Sequence, residues 1–363
     1  MVQGESIRHQ QNVYKRWIVG TLAFSVLMLA LFASITIYID PLFHFHAPLA
    51  GYEYLINVER YQNDGIMRHF EYDSIITGTS MTENFMTSEA DRLFQAKFIK
   101  VPFSGAPYKE IDQSLRRAYD TGKDIRYVIR CIDYSLLVRD KDYWRDDVSY
   151  PLYLYNDNPF DDVNYVLNKD ILFHQTLGVI KYTMGGNVTT SFDDYANWND
   201  SVTFGAEAVL ATYVSGEAVA LPQTLSEEEG TMVIENIRQN VLELALSHPE
   251  TEFFLFFPPY SICYWDTLKT NGQVDWRIDA EQLAIEELLK APNIKLYSFC
   301  NNFELVCDLD NYKDQAHYGE WVNSWILEWI KSGEWRLTKD NYLEYLREIR
   351  NFYNNYDYSS LRE

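Results

Sequence analysis

Cysteine is scarce: four in 363 residues, at positions 131, 263, 300 and 307. That is too few for a disulfide scaffold. Only Cys300 and Cys307 lie near each other in sequence, where either one bridge or two free thiols fits. Positive charge is also short, with 31 Lys and Arg against 53 Asp and Glu and a formal net charge of −22. Nucleic acid is thereby excluded as a partner, because the phosphate backbone would be repelled. Low-complexity tracts and internal repeats are absent, and 47% hydrophobic against 23% charged residues describes a folded chain. A chain of this length can bury one large core or two modest ones. Aromatic residues are plentiful: 28 Tyr, 20 Phe and 9 Trp. Such rings fill cores more often than they stack on sugars, and both uses are open here.

Charge is missing altogether from Trp17 to Ile39, 23 consecutive residues. At about 1.5 Å per residue this run crosses a hydrocarbon layer of about 30 Å. A cleaved signal peptide is the competing reading, but the run is long for a signal core and no A-x-A site precedes Asp40. Arg8, Lys15 and Arg16 precede the span, opposed only by Glu5. That bias places the N-terminus in the cytoplasm and everything after Asp40 outside. The expected layout is a cytoplasmic 1–16, a single-pass cell-membrane anchor at 17–39 and a juxtamembrane 40–70. An extracytoplasmic domain at 71–335 and a helical tail at 336–363 follow. His44 and His46 with Asp40 make a weak metal pattern, since His and aromatic residues gather at membrane interfaces anyway. Neither a metal nor another cofactor is expected.

From Tyr72 the pattern alternates between short apolar strands and helices. Ser74–Thr77 reads as a strand ending at Gly78, Lys97–Val101 as a second and Ile125–Ile132 as a third. Helical stretches fall at 107–119, 227–246, 279–290 and 320–331, and further strands at 252–257 and 294–299. The implied fold is α/β: a three-layer parallel sheet flanked by helices, flavodoxin-like, preceded by one N-terminal transmembrane helix. Between the third and fourth strands, residues 140–225 show no clear period and are rich in Tyr, Trp, Asn and Asp. So long an irregular insertion is usually functional or a subdomain. The tail reads as an amphipathic helix that packs on the domain. Asn187-Val188-Thr189 and Asn199-Asp200-Ser201 fit glycosylation acceptors, a motif short enough to arise by chance. His69 and His174 have no partner pattern.

In such sheets the ligand crevice lies at the carboxyl ends of the strands. Gly78-Thr79-Ser80 follows the first strand and would present the Ser80 hydroxyl there, Gly78 permitting the sharp turn. Asp314-Gln315-Ala316-His317 follows the last strand; a carboxylate three residues ahead of a histidine reaches Nδ1 and frees Nε2 to take a serine proton. Either motif alone is weak. Together they put a nucleophile and its base on one edge of one sheet. Tyr260, after Phe257-Pro258-Pro259, falls on the same edge as a site-lining candidate, though a structural turn is the commoner use of such a segment.

This arrangement resembles the SGNH or GDSL-like hydrolases across about Tyr72 to Ser332, interrupted by the insertion. Gly78-Thr79-Ser80 is similar to the family's first block, Phe103-Ser104-Gly105 to its Gly block and Asp314 with His317 to its last block. The resemblance implies Ser80 as nucleophile, His317 as base and Asp314 as its orienting carboxylate. Backbone N–H groups of Ser80, Met81 and Gly105 would form the oxyanion hole. One departure stands out: Asp133 occupies the place of the family's Asn. An ionised carboxylate only accepts hydrogen bonds, so Asp133 needs another role, such as orienting the Ser80 turn. The layout resembles the divergent, anchored envelope members more than secreted lipases and esterases; among the former are the teichoic acid D-alanine transfer protein and alginate O-acetylation accessory proteins. It implies a serine O-acyl esterase or O-acyltransferase acting on an envelope polysaccharide or its acyl donor, with a membrane-bound acyltransferase as a candidate partner. A non-catalytic envelope binding or assembly protein is the alternative, and Asp133 is the residue that favours it.

Overall fold

The computed structural model describes residues 2–213 and 220–361; residues 214–219 of the insertion and 362–363 of the tail lie outside the described residues. The chain divides into two compact units, Met1–Leu55 with Tyr150–Thr189, and Ile56–Ser149 with Thr190–Glu363. The sequence predicts one insertion at 140–225 and one juxtamembrane segment at 40–70. The structure cuts both, because 150–189 folds with the N-terminal helix while 190–213 folds with the sheet.

In the first unit a single helix runs Val2–Ile39, and its 8–39 portion is long and apolar enough to cross a membrane. It stops at Asp40, whose φ of +46° leaves the helical region. The Asp40 carboxylate accepts the backbone N–H groups of His44 (3.0 Å), Phe45 (2.7 Å) and His46 (2.9 Å), and the Tyr165 hydroxyl at 2.6 Å. One buried side chain thus fixes the chain's exit from the helix and ties it to the insertion. The two histidines are engaged locally: His44 Nε2 lies 3.0 Å from Asp162, and the His46 ring meets the carbonyls of Ala47 and Ile37.

The second unit is built on a six-stranded sheet of order β2-β1-β3-β4-β5-β6. The strands are β1 Ser74–Gly78, β2 Phe98–Pro102, β3 Tyr127–Cys131, β4 Glu252–Phe257, β5 Ile294–Ser298 and β6 Arg336–Leu337. The first five are parallel, and β6 runs antiparallel to β5. Helices cover both faces, which is why the parallel strands read as almost unbroken apolar runs. Nearly every residue of β1, β2 and β4 is buried. The two-residue β6 is too short to leave a period in the sequence.

The helix expected at 227–246 begins with a capping box, Ser226 with Glu229, and carries a π-helical turn at Arg238–Leu242. The one expected at 279–290 starts earlier, as Val274–Leu288. Helices at Glu59–His69 and Ile262–Thr270 have no sequence expectation, while Thr87–Phe94 fills the place of the helix expected between the first two strands. The tail helix Tyr342–Asn355 lies on the domain: Tyr353 stacks on Trp265 with ring centres 3.6 Å apart, and Arg350 bridges Asp275 and Asp279 at 2.6 Å each. All four cysteines are free thiols, so the Cys300–Cys307 bridge is not formed; buried Cys300 instead meets the Tyr134 hydroxyl at 2.7 Å.

Candidate active site

Ser80 opens a short 3-10 turn, Ser80–Thr82, directly after β1. The turn closes through Thr82 N–H to the Thr79 carbonyl (2.9 Å) and Thr82 Oγ1 to the same oxygen (2.8 Å). The first N–H groups of such a turn, Ser80 and Met81, have no acceptor within it. Gly78 makes the geometry feasible: its φ is +153°, and an added Cβ would fall 2.7 Å from Thr82 Cγ2 and 2.9 Å from Cys131 Cβ.

His317 and Asp314 sit in a loop whose ends are stitched by an antiparallel bridge between Tyr312 and Tyr318. The buried Tyr312 donates to the Pro259 carbonyl at 2.8 Å, and Ser261 holds the Gln315 carbonyl through both N–H (3.0 Å) and Oγ (2.8 Å). The segment after β4 therefore braces the loop. Ser80 Oγ lies 2.8 Å from His317 Nε2, and the Asp314 carboxylate lies 2.9 Å from Nδ1. The Asp314 Oδ1 also accepts the backbone N–H groups of Ala316 and His317, each at 2.9 Å. Burial works to raise the Asp314 pKa, but its hydrogen bonds to His317 and Ala316 and the electrostatic pull of the His317 ring outweigh it and hold the carboxyl at about 2.

Asp133 lies behind the nucleophile turn. Its Oδ2 accepts Thr79 Oγ1 at 2.9 Å, and Oδ1 accepts Ser135 N–H at 3.0 Å and Ser135 Oγ at 2.7 Å. Its carbonyl accepts the Tyr108 hydroxyl at 2.6 Å, and Tyr260 hydrogen-bonds the carboxylate. Tyr260 is itself buried, edge-on to Tyr134 and Tyr264. This carboxylate gathers donors and ties the residue before Ser80 to the segment that follows β3.

Gly105 occupies the third position of a turn closed by Ala106 N–H to the Phe103 carbonyl (2.9 Å), and its φ is +61°. Phe103 N–H donates to the Gly78 carbonyl at 2.9 Å, which fixes this turn against the residue two before Ser80. Glu59 accepts Ser104 N–H (2.8 Å), while Arg60 and Arg145 donate to the carbonyls of Ser104 (2.9 Å) and Gly105 (3.1 Å).

Several residues at the site had escaped sequence reasoning. The half-buried Trp198, from the insertion, presents its ring at right angles to His317 with centres 5.8 Å apart, and Lys313 Nζ sits 3.9 Å over it. Its N–H main-chain group donates to Asn84 Oδ1 at 3.0 Å, and buried Asn323 donates to the Met81 carbonyl at 3.1 Å. Glu83 hydrogen-bonds Glu59, Ser104 and Trp198; burial, then the neighbouring Glu59 charge, push its pKa up to about 8. Buried Lys100 on β2 donates to the carbonyls of Glu83 (2.5 Å) and Asp193 (3.2 Å), joining the turn to the insertion. The aromatic richness of the insertion was the sole sequence signal for any of these. Among the described residues no group of three or more His, Cys, Asp or Glu side chains converges as a metal site would.

No protein-family model matches this chain, and no curated protein matches it. What the second unit displays on its own geometry is an α/β fold with a serine, a histidine and a carboxylate in relay at the carboxyl edge of the sheet.

Proposed function

We propose that this chain is a membrane-anchored, extracytoplasmic serine O-acyl esterase or O-acyltransferase of the SGNH-like kind, acting on an envelope polysaccharide. The observation that carries the reading is the relay itself, Ser80 Oγ 2.8 Å from His317 Nε2 with Asp314 2.9 Å from Nδ1. Those distances suit proton transfer without further movement.

Ser80 Oγ attacks the ester carbonyl carbon while its proton passes to Nε2, and the carbonyl π pair moves onto oxygen. N–H groups of Ser80, Met81 and Gly105 are the proposed donors to that oxyanion. Collapse expels the alcohol, which takes the proton from Nε2 and leaves an acyl-Ser80. Water or a sugar hydroxyl then attacks the acyl-enzyme, its proton again taken by Nε2 and returned to Ser80. The half-exposed ring of Trp198 beside His317, with Phe204 stacked against Trp198, supports a carbohydrate as one of the partners in this exchange. The first unit's helix supports anchoring, and the basic residues before it support the outward orientation. A membrane-bound acyltransferase is the class of partner that would supply acyl groups at that surface. Asp133 supports the catalytic reading by holding Thr79 beside the nucleophile.

The test is turnover of a chromogenic acetyl ester by the full-length chain in detergent, followed by acetate release from O-acetylated envelope glycan. Ser80→Ala should lose about three orders of magnitude or more. Equal turnover by wild type and Ser80→Ala overturns the catalytic reading; ester cleavage without glycan deacylation or acyl transfer to glycan overturns the polysaccharide assignment.

A further inference from the structure

The first unit holds an arrangement that the proposed chemistry does not use. From Arg8 to Leu27 the N-terminal helix is bare on all sides, but from Met28 onward one face becomes covered. Met28, Phe32 and Ile35 are half-buried, and Thr36 and Ile39 are buried. These positions recur at helical spacing and form a single stripe. The helical turn Val163–Val166 and the π-helical segment Ile171–Thr176 pack against this helix, locked by Tyr165 to Asp40 and His44 to Asp162.

The depth of that stripe matters. With Lys15 and Arg16 at the inner boundary, a hydrocarbon layer of about 30 Å is crossed in about 20 residues, ending near Thr36. The covered face starts at Met28, so the segments that cover it reach into the outer half of the layer. Those segments and their flanks are also where apolar side chains stand exposed. Phe160 is 88% exposed, Met184 82% and Phe173 55%, with Val163, Leu167 and Val188 also exposed. All six fall within 150–189, on the segments that cover the helix and on their flanks. Exposed Lys169 and Lys181 have stems long enough to carry their charges up to the headgroups.

We infer that residues 150–189 form a collar in the outer leaflet, with acyl chains as the occupant of its exposed apolar face. This inference rests on the anchoring proposed above. It separates the insertion into two tasks: 150–189 meets lipid, while 190–213 brings Trp198 to the histidine.

The test uses the intact chain in nanodiscs containing a phospholipid with a diazirine midway along its acyl chain, followed by photolysis and peptide mapping. Adducts are expected both in Trp17–Ile39 and in Val163–Met184. Adducts in the first peptide alone overturn the collar and leave the anchor standing; adducts in neither overturn both. A second arm places spin labels at Phe173→Cys, Leu22→Cys and Leu343→Cys in a Cys307→Ser background. The ratio of oxygen to nickel-chelate accessibility should be severalfold higher at 173 and 22 than at 343. A label at 173 that reports water, or one shielded from both reagents as under a protein partner, overturns the proposal.

Discussion

Exchange of Asp314 for Asn isolates the orienting carboxylate from everything else in the site. The Asp314 carboxylate accepts three N–H groups: the ring Nδ1–H and the backbone N–H groups of Ala316 and His317. In Asp314→Asn the amide oxygen takes the Oδ1 position and keeps both backbone donors, so the loop holds its shape. The amide NH2 then faces Nδ1 at about the 2.9 Å of the native contact, while the amide oxygen, 3.0 Å from Nδ1, is already taken by two backbone N–H groups. Two donors cannot meet, so the imidazole moves its proton to Nε2, where it points at Ser80 Oγ. That tautomer cannot take the serine proton. The same exchange in a serine protease triad costs about 10⁴ in turnover, or about 5.4 kcal/mol at 1.36 kcal/mol per tenfold. Ester turnover by the purified full-length chain, beside a thermal melt followed by circular dichroism, reads both quantities. Asp314→Ala is a poorer probe, since it strands two backbone donors and loses stability as well. A native melt with turnover within tenfold of wild type would refute the reasoning.

Gly78→Ala should be among the most damaging single changes, because its Cβ meets Cys131 and Thr82 where the turn cannot yield; loss of folded yield is expected, and a wild-type melting temperature would contradict it. Thr79→Val removes one donor to Asp133 and should cost about 1 kcal/mol of stability with a larger fractional loss of turnover; unchanged kcat with lowered stability would make Asp133 merely structural. Glu83, held near 8 against an unfolded carboxylate near 4.3, gives stability that is full below about pH 4 and lost as pH rises through about 8. The slope is at most about 1.4 kcal/mol per pH unit. Melts of Glu83→Gln between pH 5 and 8 should lack that slope, and parallel curves would refute the assignment. Asp314 runs the other way: its contribution is present above about pH 4 and is lost only as pH falls through about 2. Asp314→Asn should therefore leave the acid limb of stability above pH 4 unchanged, as guanidinium melts would show.

Much of the fold was legible because a doubly covered parallel sheet forces apolar strands into the sequence. EFFLFF at 252–257 could be read to the residue, and 294–299 nearly so. Where turn chemistry replaces periodicity the reading failed, as at the short β6 and at helix Glu59–His69, whose buried face includes Gln62, Asn63 and Asp64. Ser80, Asp314 and His317 were readable because two motifs fall at known ends of two strands. Trp198, Glu83, Lys100 and Asn323 were not, since each reaches the site by tertiary packing that leaves no local spacing. The division of the insertion at 189 was equally hidden. Nothing in the composition on either side separates the residues that follow the helix from those that follow the sheet.

The most direct test of the central claim is covalent capture of Ser80. The full-length chain is treated with a fluorophosphonate, digested, and mapped by mass spectrometry, alongside Ser80→Ala and His317→Ala. The relay predicts a single phosphonylated site at Ser80 in wild type, and none in either variant over the same time. Labelling elsewhere, or labelling of His317→Ala at the wild-type rate, would contradict it.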